Sequence, residues 1–318
     1  MTDALLFHKD EVEDLDDWAG RTDRLDESTL LWIDLEDVDA AEIERLAEEL
    51  ELDEESVRRL GADETDSYLG DFESYLHVTA YAPCGEGHDL ERVACLVSES
   101  WIVTVRDGPV EVLKELRERA SGAGDVGRLQ GIDVLADVLT WVLDGYLRAF
   151  EDIDLSVEEF DRRTMEGRTA PDDALRELVE LRAQIGRLRR KLVSHRPVLL
   201  ALTRPELGGI STTDSAERFE SLVERLAEVT QAARDSREAV VGAFDVLMTR
   251  ASQRTNEIMK VLTLASILLL PGTLLAGILG MNFKLGLFED TRNFWLALAV
   301  MLGVAAATLV AARARRWV

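Results

Sequence analysis

Two cysteines in 318 residues, Cys84 and Cys95, are too few for a disulfide framework, and a reducing cytosol suits such a chain. Lysine is scarce as well; only five of the 36 bases are Lys. Bases of either kind are outnumbered by 62 acids, for a formal net charge of −26. That balance argues against nucleic acid as a partner, because phosphate binding demands clustered Lys and Arg. It suits cation attraction, or a halophile's cytosol where salt screens self-repulsion. The N-terminus, MTDALLFHKDEVEDLDD, lacks the basic and apolar regions of a signal peptide. No phosphate-cradling glycine loop, nucleophile elbow or HExxH is present. An enzyme is therefore not expected, nor an organic cofactor.

Apolar runs at Leu30–Leu35, Tyr75–Ala82 and Val93–Arg106 read as strands, the last as a hairpin turning at Glu99–Ser100. Helical patterns occupy Ala40–Leu52 and Val110–Ala120. These predict a small α/β domain over residues 1–125. From Gly131 to Gly167 the periodicity is helical without a break. Pro171 opens a second long helix running to about Leu202. A third, capped at Thr213-Asp214, meets no Pro or Gly pair before Pro271. Residues 126–255 are thus expected to be long cytosolic helices.

Residues 256–318 differ in kind, with three acids and six bases. Val261–Phe283 is a run of 23 residues without charge, and Phe294–Ala312 a run of 19. Each meets the length of about 20 residues that crosses a bilayer, and two in tandem point away from buried core helices. Arg250, Arg254 and Lys260 precede the first run; Arg313, Arg315 and Arg316 follow the second. The positive-inside rule then predicts a multi-pass protein of the cell membrane with both termini cytosolic. Pro271 frees a backbone carbonyl inside the first span, which a neighbouring helix or water must satisfy. That favours the first span beside a wet pore. Two spans from one chain cannot enclose a pore, so an oligomer is expected.

Gly280-Met281-Asn282, between an apolar span and a short loop, resembles the signature of the CorA family of metal-ion transporters. Asn256–Thr263, Leu270–Thr273 and Ala276–Ile278 are similar to that family's pore helix in register, and the basic tail Arg313–Trp317 fits. Trp32–Leu35 and Trp101–Val105 resemble strands of its cytosolic domain more weakly. The resemblance implies an α+β membrane protein: an N-terminal cytosolic α/β domain, a long helical stalk, two C-terminal transmembrane helices and a homopentameric funnel. Self, the lipid bilayer and divalent cations would be its partners.

By the same resemblance, Gly280, Met281 and Asn282 bind an incoming hydrated cation at the outer mouth. Thr273, Leu262, Met259 and Asn256 line the pore going inward, with Asp245 below on the stalk. The physics agrees: Mg2+ gives up water reluctantly, and an amide with backbone carbonyls can hold it through its waters. A ring of Met259 or Leu262 can gate by dewetting. Each has a plainer alternative: Asn282 as a helix cap, Met259 and Leu262 as packing residues, Asp245 as a salt-bridge acid.

The chain departs from the family pattern at Leu279, where an aromatic is common, and at Lys284, where an acid and a Met-Pro pair usually follow. Glu289 and Asp290 stand further along and would offset five lysines around one mouth. The resemblance also implies regulation by intracellular Mg2+ at acidic contacts between subunits, for which Glu86, Asp89, Glu220 and Glu224 are the candidates. The leading reading is a passive Mg2+ channel that also takes Co2+ or Ni2+. A Zn2+ transporter of the related zinc branch and a non-conducting membrane scaffold or sensor are the alternatives. Cys84, His88, Asp89 and Cys95 match no structural zinc spacing and read as a polar hairpin loop.

Overall fold

The structure, a computed structural model, describes residues 2–7, 12–15, 18–20, 25, 29–62, 66–85, 87–108, 130–168, 170–204, 213–279 and 291–314. It divides into two compact units, residues 1–243 and 244–318. The helix expected at 110–120 and the 125/126 boundary lie outside the described residues, and the 255/256 boundary falls inside a helix.

The first unit is built on a seven-stranded sheet of β1 (Thr2–Phe7), β2 (Val12–Leu15), β3 (Leu30–Glu36), β4 (Tyr68–Phe72), β5 (Tyr75–Cys84), β6 (Asp89–Val97) and β7 (Trp101–Arg106). Their order is β2-β1-β3-β7-β6-β5-β4. Only β3 and β7 pair in parallel, with Leu31 opposite Trp101; the other neighbours are antiparallel. The β6–β7 hairpin turns between Val97 and Trp101, where the Ser98 N–H donates to the Trp101 carbonyl at 2.8 Å.

Helices α1 (Ala40–Glu49) and α2 (Glu54–Leu60) follow β3. Asp39 caps α1 by accepting from the Glu42 N–H at 2.9 Å, and Asp53 caps α2 through the Glu55 N–H at 2.8 Å. They bury Ile43, Leu46 and Leu60 in a core shared with Leu31, Ile33, Leu96 and Val103 of the sheet. Arg92 fixes the far end of α2. Its guanidinium donates to the carbonyls of Arg59, Leu60 and Ala62 at 3.0–3.2 Å, meeting orphan groups that a helix C-terminus leaves open.

Long helices α3 (Gly131–Met165) and α4 (Pro171–Leu202) also pack against β5. Glycine gives room for a close approach where α3 begins, since a Cβ at Gly131 would lie 3.0 Å from the Ser98 carbonyl oxygen. The described part of β5 up to Pro83 is buried throughout, as befits a strand covered on both faces. Helix α5 (Thr213–Leu279) begins in this unit. Its inward positions, among them Phe219, Leu222, Leu226, Val229 and Ala233, recur every third and fourth residue and are buried. Ion pairs fasten it to α3: Arg218 to Asp133 and Asp137 at 2.6 and 2.7 Å, Arg225 to Asp144 at 2.8 Å.

The second unit holds the rest of α5 and helix α6 (Thr291–Ala314). The two approach closely at Gly272, where a Cβ would meet the Met301 Cε at 3.3 Å. Around it Leu268, Leu269, Thr273, Leu298 and Leu302 line an apolar groove. Within 215–278 an 18-residue stretch has a mean hydropathy of 2.2 and none of it is buried. Among the described residues α5 is the one helix long and apolar enough to cross a membrane; Phe294–Thr308 of α6 is a shorter apolar stretch.

Candidate cation pathway

Asp245, Asn256, Met259, Leu262 and Thr273 all stand on α5, in the second unit, and all are exposed in the single chain. At about 100° per residue they fall within an arc of about 120° of the helix surface. One helix can therefore turn all five toward a common axis. The apolar members, Met259 and Leu262, are 54% and 59% exposed, so no contact within the described chain accounts for them as packing residues. Asn256 and Met259 border a hollow of about 430 Å³ with Gln253, Glu257, Lys260 and Thr263.

Several hydroxyls of this part of α5 are satisfied within the helix. Thr273 Oγ1 donates to the Leu269 carbonyl at 2.9 Å, Ser266 to Leu262 at 2.9 Å and Thr249 to Asp245 at 2.8 Å. Such back-bonding meets the hydroxyl's own demand where bulk water is absent and leaves the oxygen's lone pairs able to accept.

Gly280, Met281, Asn282, Lys284, Glu289 and Asp290 lie outside the described residues, as does Glu86. Of the other regulatory candidates, Asp89 pairs with Cys84 at the turn end of the β5–β6 hairpin, and Glu220 and Glu224 are exposed on α5. Around that hairpin the carboxyl of Glu91 is raised above its usual range, first by burial and then by the charges of Asp107, Asp89 and Asp37. His88, beside the turn, stands 3.6 Å from Asp152 of α3. Among the described residues no three His, Cys, Asp or Glu side chains of one chain gather as a metal site.

Two buried histidines had no expectation from the sequence. His77 lies between Ser56 Oγ at 2.7 Å and Thr79 Oγ1 at 3.4 Å, and burial, with Arg59 and Arg92 nearby, lowers its pKa to about 3. His195 accepts the Tyr81 N–H at Nε2 (3.1 Å) and donates from Nδ1 to the Lys191 carbonyl (2.9 Å). Burial brings its pKa to about 4. Both are internal ties of the first unit. A single His amid a helix or strand pattern carries no sequence signal that separates such a tie from a ligand.

An α/β unit whose last helix runs on as a bare apolar stretch has the make-up of a membrane protein. A model of the CorA-like Mg2+ transporter protein family matches residues 27–313, and the chain belongs to that family. Among curated relatives, the cobalt/magnesium transport protein CorA of Methanocaldococcus jannaschii is 24% identical over 285 residues, 86% of each chain. That of Thermotoga maritima is 25% identical over 236 residues, 72% of this chain and 66% of its own length. The complete structure of the CorA magnesium transporter from M. jannaschii shares the fold with a TM-score of 0.84 at 21% identity, over 100% of this chain and 99% of that one.

Proposed function

We propose that the chain is one subunit of a homopentameric channel passing Mg2+, with Co2+ and Ni2+ as further substrates, passively across the cell membrane. The observation that carries this reading is the exposed arc of Asn256, Met259, Leu262 and Thr273 on an apolar helix, in a chain of the CorA-like family. The first span is Val261–Phe283, the second Phe294–Ala312, and both termini are cytosolic. Gly280, Met281 and Asn282 hold the hydrated ion at the outer mouth, and Lys284, Glu289 and Asp290 set the local potential there. Met259 and Leu262 form the dewetting gate, with Asp245 below it. Intracellular Mg2+ closes the gate at acidic contacts between subunits. The relatives' names, which couple cobalt with magnesium, support the choice of ion.

The test is metal uptake into proteoliposomes, comparing Mg2+, Co2+, Ni2+ and Zn2+ for wild type and Asn282→Ala. Mg2+ uptake that Asn282→Ala abolishes in an intact oligomer is expected. Uptake at the wild-type rate in Asn282→Ala removes the outer-mouth assignment. Zn2+ uptake alone, driven by a pH gradient, assigns the chain to zinc transport; uptake of no metal makes it a scaffold.

A further inference from the structure

Helix α4 carries two seams. Its buried one, including Leu178, Ile185, Leu188, Leu192 and His195, faces the rest of the first unit. One residue further on runs a second, in which Arg182, Arg189 and Arg196 stand seven residues apart and are exposed. Val179, Gly186, Val193 and Leu200 alternate with them, and Val179 and Val193 are 57% and 49% exposed. This three-four spacing is the pattern with which one helix meets another. From 181 to 204 the chain holds no acid at all. Among the described residues no ion pair reaches Arg182, Arg189 or Arg196.

Helix α5 carries the counterpart. Opposite its buried seam, two residues on from Phe219, Leu226, Val229, Ala233 and Ser236, lies an exposed seam of Ser221, Glu228, Gln231, Asp235 and Glu238. It keeps the same repeat and, from Glu217 to Gly242, contains no base. The outer face of α3 is a poorer match, since Arg148 and Arg162 interrupt its acids.

Levels along the helices agree as well. Asp133–Arg218, Asp144–Arg225 and the bond from Ser236 to the Phe150 carbonyl run α3 and α5 in parallel. Tyr146 against His195 and Arg163 against Glu177 run α4 antiparallel to α3. Arg196 thereby stands level with Glu228, Arg189 with Asp235, and Arg182 with Gly242, one turn from Glu238. Rotation about an axis along the helices preserves these levels between copies.

We infer that the arginine seam of α4 docks, antiparallel, on the acidic seam of α5 in a second copy of the chain. Such a contact joins two different surfaces, so rotation repeats it around a ring. It is a charged contact with a thin apolar filling, and salt weakens it. The inference rests on the oligomeric reading above and adds the surfaces that meet.

The test co-expresses two differently tagged full-length copies in a Cys84→Ser/Cys95→Ala background, one with Arg189→Cys and the other with Asp235→Cys. Under mild oxidation they are expected to link to each other, tag to tag. Arg182→Glu/Arg189→Glu should weaken association roughly fivefold at low salt, and adding Asp235→Arg/Glu238→Arg should restore it. An intact oligomer with no cross-link and no response to charge reversal overturns the interface, even if metal uptake stands. A cross-link with no uptake supports the interface and counts only against transport. Capture of a fluorescent oligonucleotide by the arginines, without cross-linking, gives the seam to a polyanion and also overturns it.

Discussion

Two stretches of α5 are both rich in apolar side chains and use them in opposite ways. Over 215–243 those side chains return every third or fourth residue and are buried: Phe219 is 0% exposed and Leu226 4%. Over 258–278 they ring the helix and stand out: Val261 is 69% exposed and Leu269 68%. The first stretch was selected against water, so only its inner stripe is apolar. The second needs no polar side, as a helix surrounded by lipid does not. The comparison teaches that the period of the pattern, and not the amount of apolar residue, tells which solvent a helix was made for.

The largest break in that comparison is a truncation in the first stretch. Phe219→Ala should cost about 3–5 kcal/mol, the usual loss for a fully buried aromatic. Leu269→Ala should leave the folding of the first unit unchanged. Thermal unfolding of the full chain in detergent measures both, and equal losses would contradict the division of roles. A charge should act the other way round. Leu269→Arg is expected to cost about 3 kcal/mol of insertion near the middle of a span. Ala227→Arg, on the exposed side of the first stretch, should cost less than about 0.5 kcal/mol. The fraction of protein that resists alkaline extraction from membranes reports the difference. Loss of membrane retention in Ala227→Arg would remove the boundary between the two stretches.

Much of this was legible in the residues because it rests on long, repeated patterns. β3, β5, β6 and β7 are apolar and β-branched, and α3, α4 and α5 carry their periods over many turns. What escaped was short. β4 reads YLGDF, with a Gly and an Asp in five residues, and pairs only with β5 at the sheet's edge. β2 has four residues, VEDL, held by pairing with β1 rather than by its own propensity. Helix α2, EESVRRL, is too short for a periodicity window, and its caps do the work. The assignment of Asn256, Met259, Leu262 and Thr273 to a pathway is a proposal that rests on family register, since composition alone does not choose among the faces of an apolar helix. The arginine seam of α4 could have been read from the acid-free run at 181–204. It was hidden by the overall charge of −26, which averages a basic face into an acidic chain.

The smallest break concerns pH, and it too should fall on one unit alone, for all four histidines precede residue 196. His195 is satisfied as the neutral ring: Nε2 accepts the Tyr81 N–H and Nδ1 donates to the Lys191 carbonyl. Protonation would set a donor at Nε2 against another donor, near the Lys191 ammonium that sits 4.0 Å over the Tyr81 ring. Burial first, and the Lys191 charge with it, hold the folded pKa at about 4, below the ordinary 6.5. A group whose proton binds more weakly in the folded state lends stability that is fully present above pH 6.5 and is lost as pH falls toward 4. At pH 5 the loss from His195 should be on the order of 2 kcal/mol, from 1.36 kcal/mol per pH unit. Unfolding of wild type and His195→Gln across this range measures it. The wild type should lose stability steadily, and the variant, less stable at neutral pH, should give a flatter profile. His77, with its pKa near 3, would supply the slope that remains. Parallel profiles for wild type and His195→Gln would show that the histidine does not remain neutral in the fold, and that its two hydrogen bonds are not what holds α4 to β5.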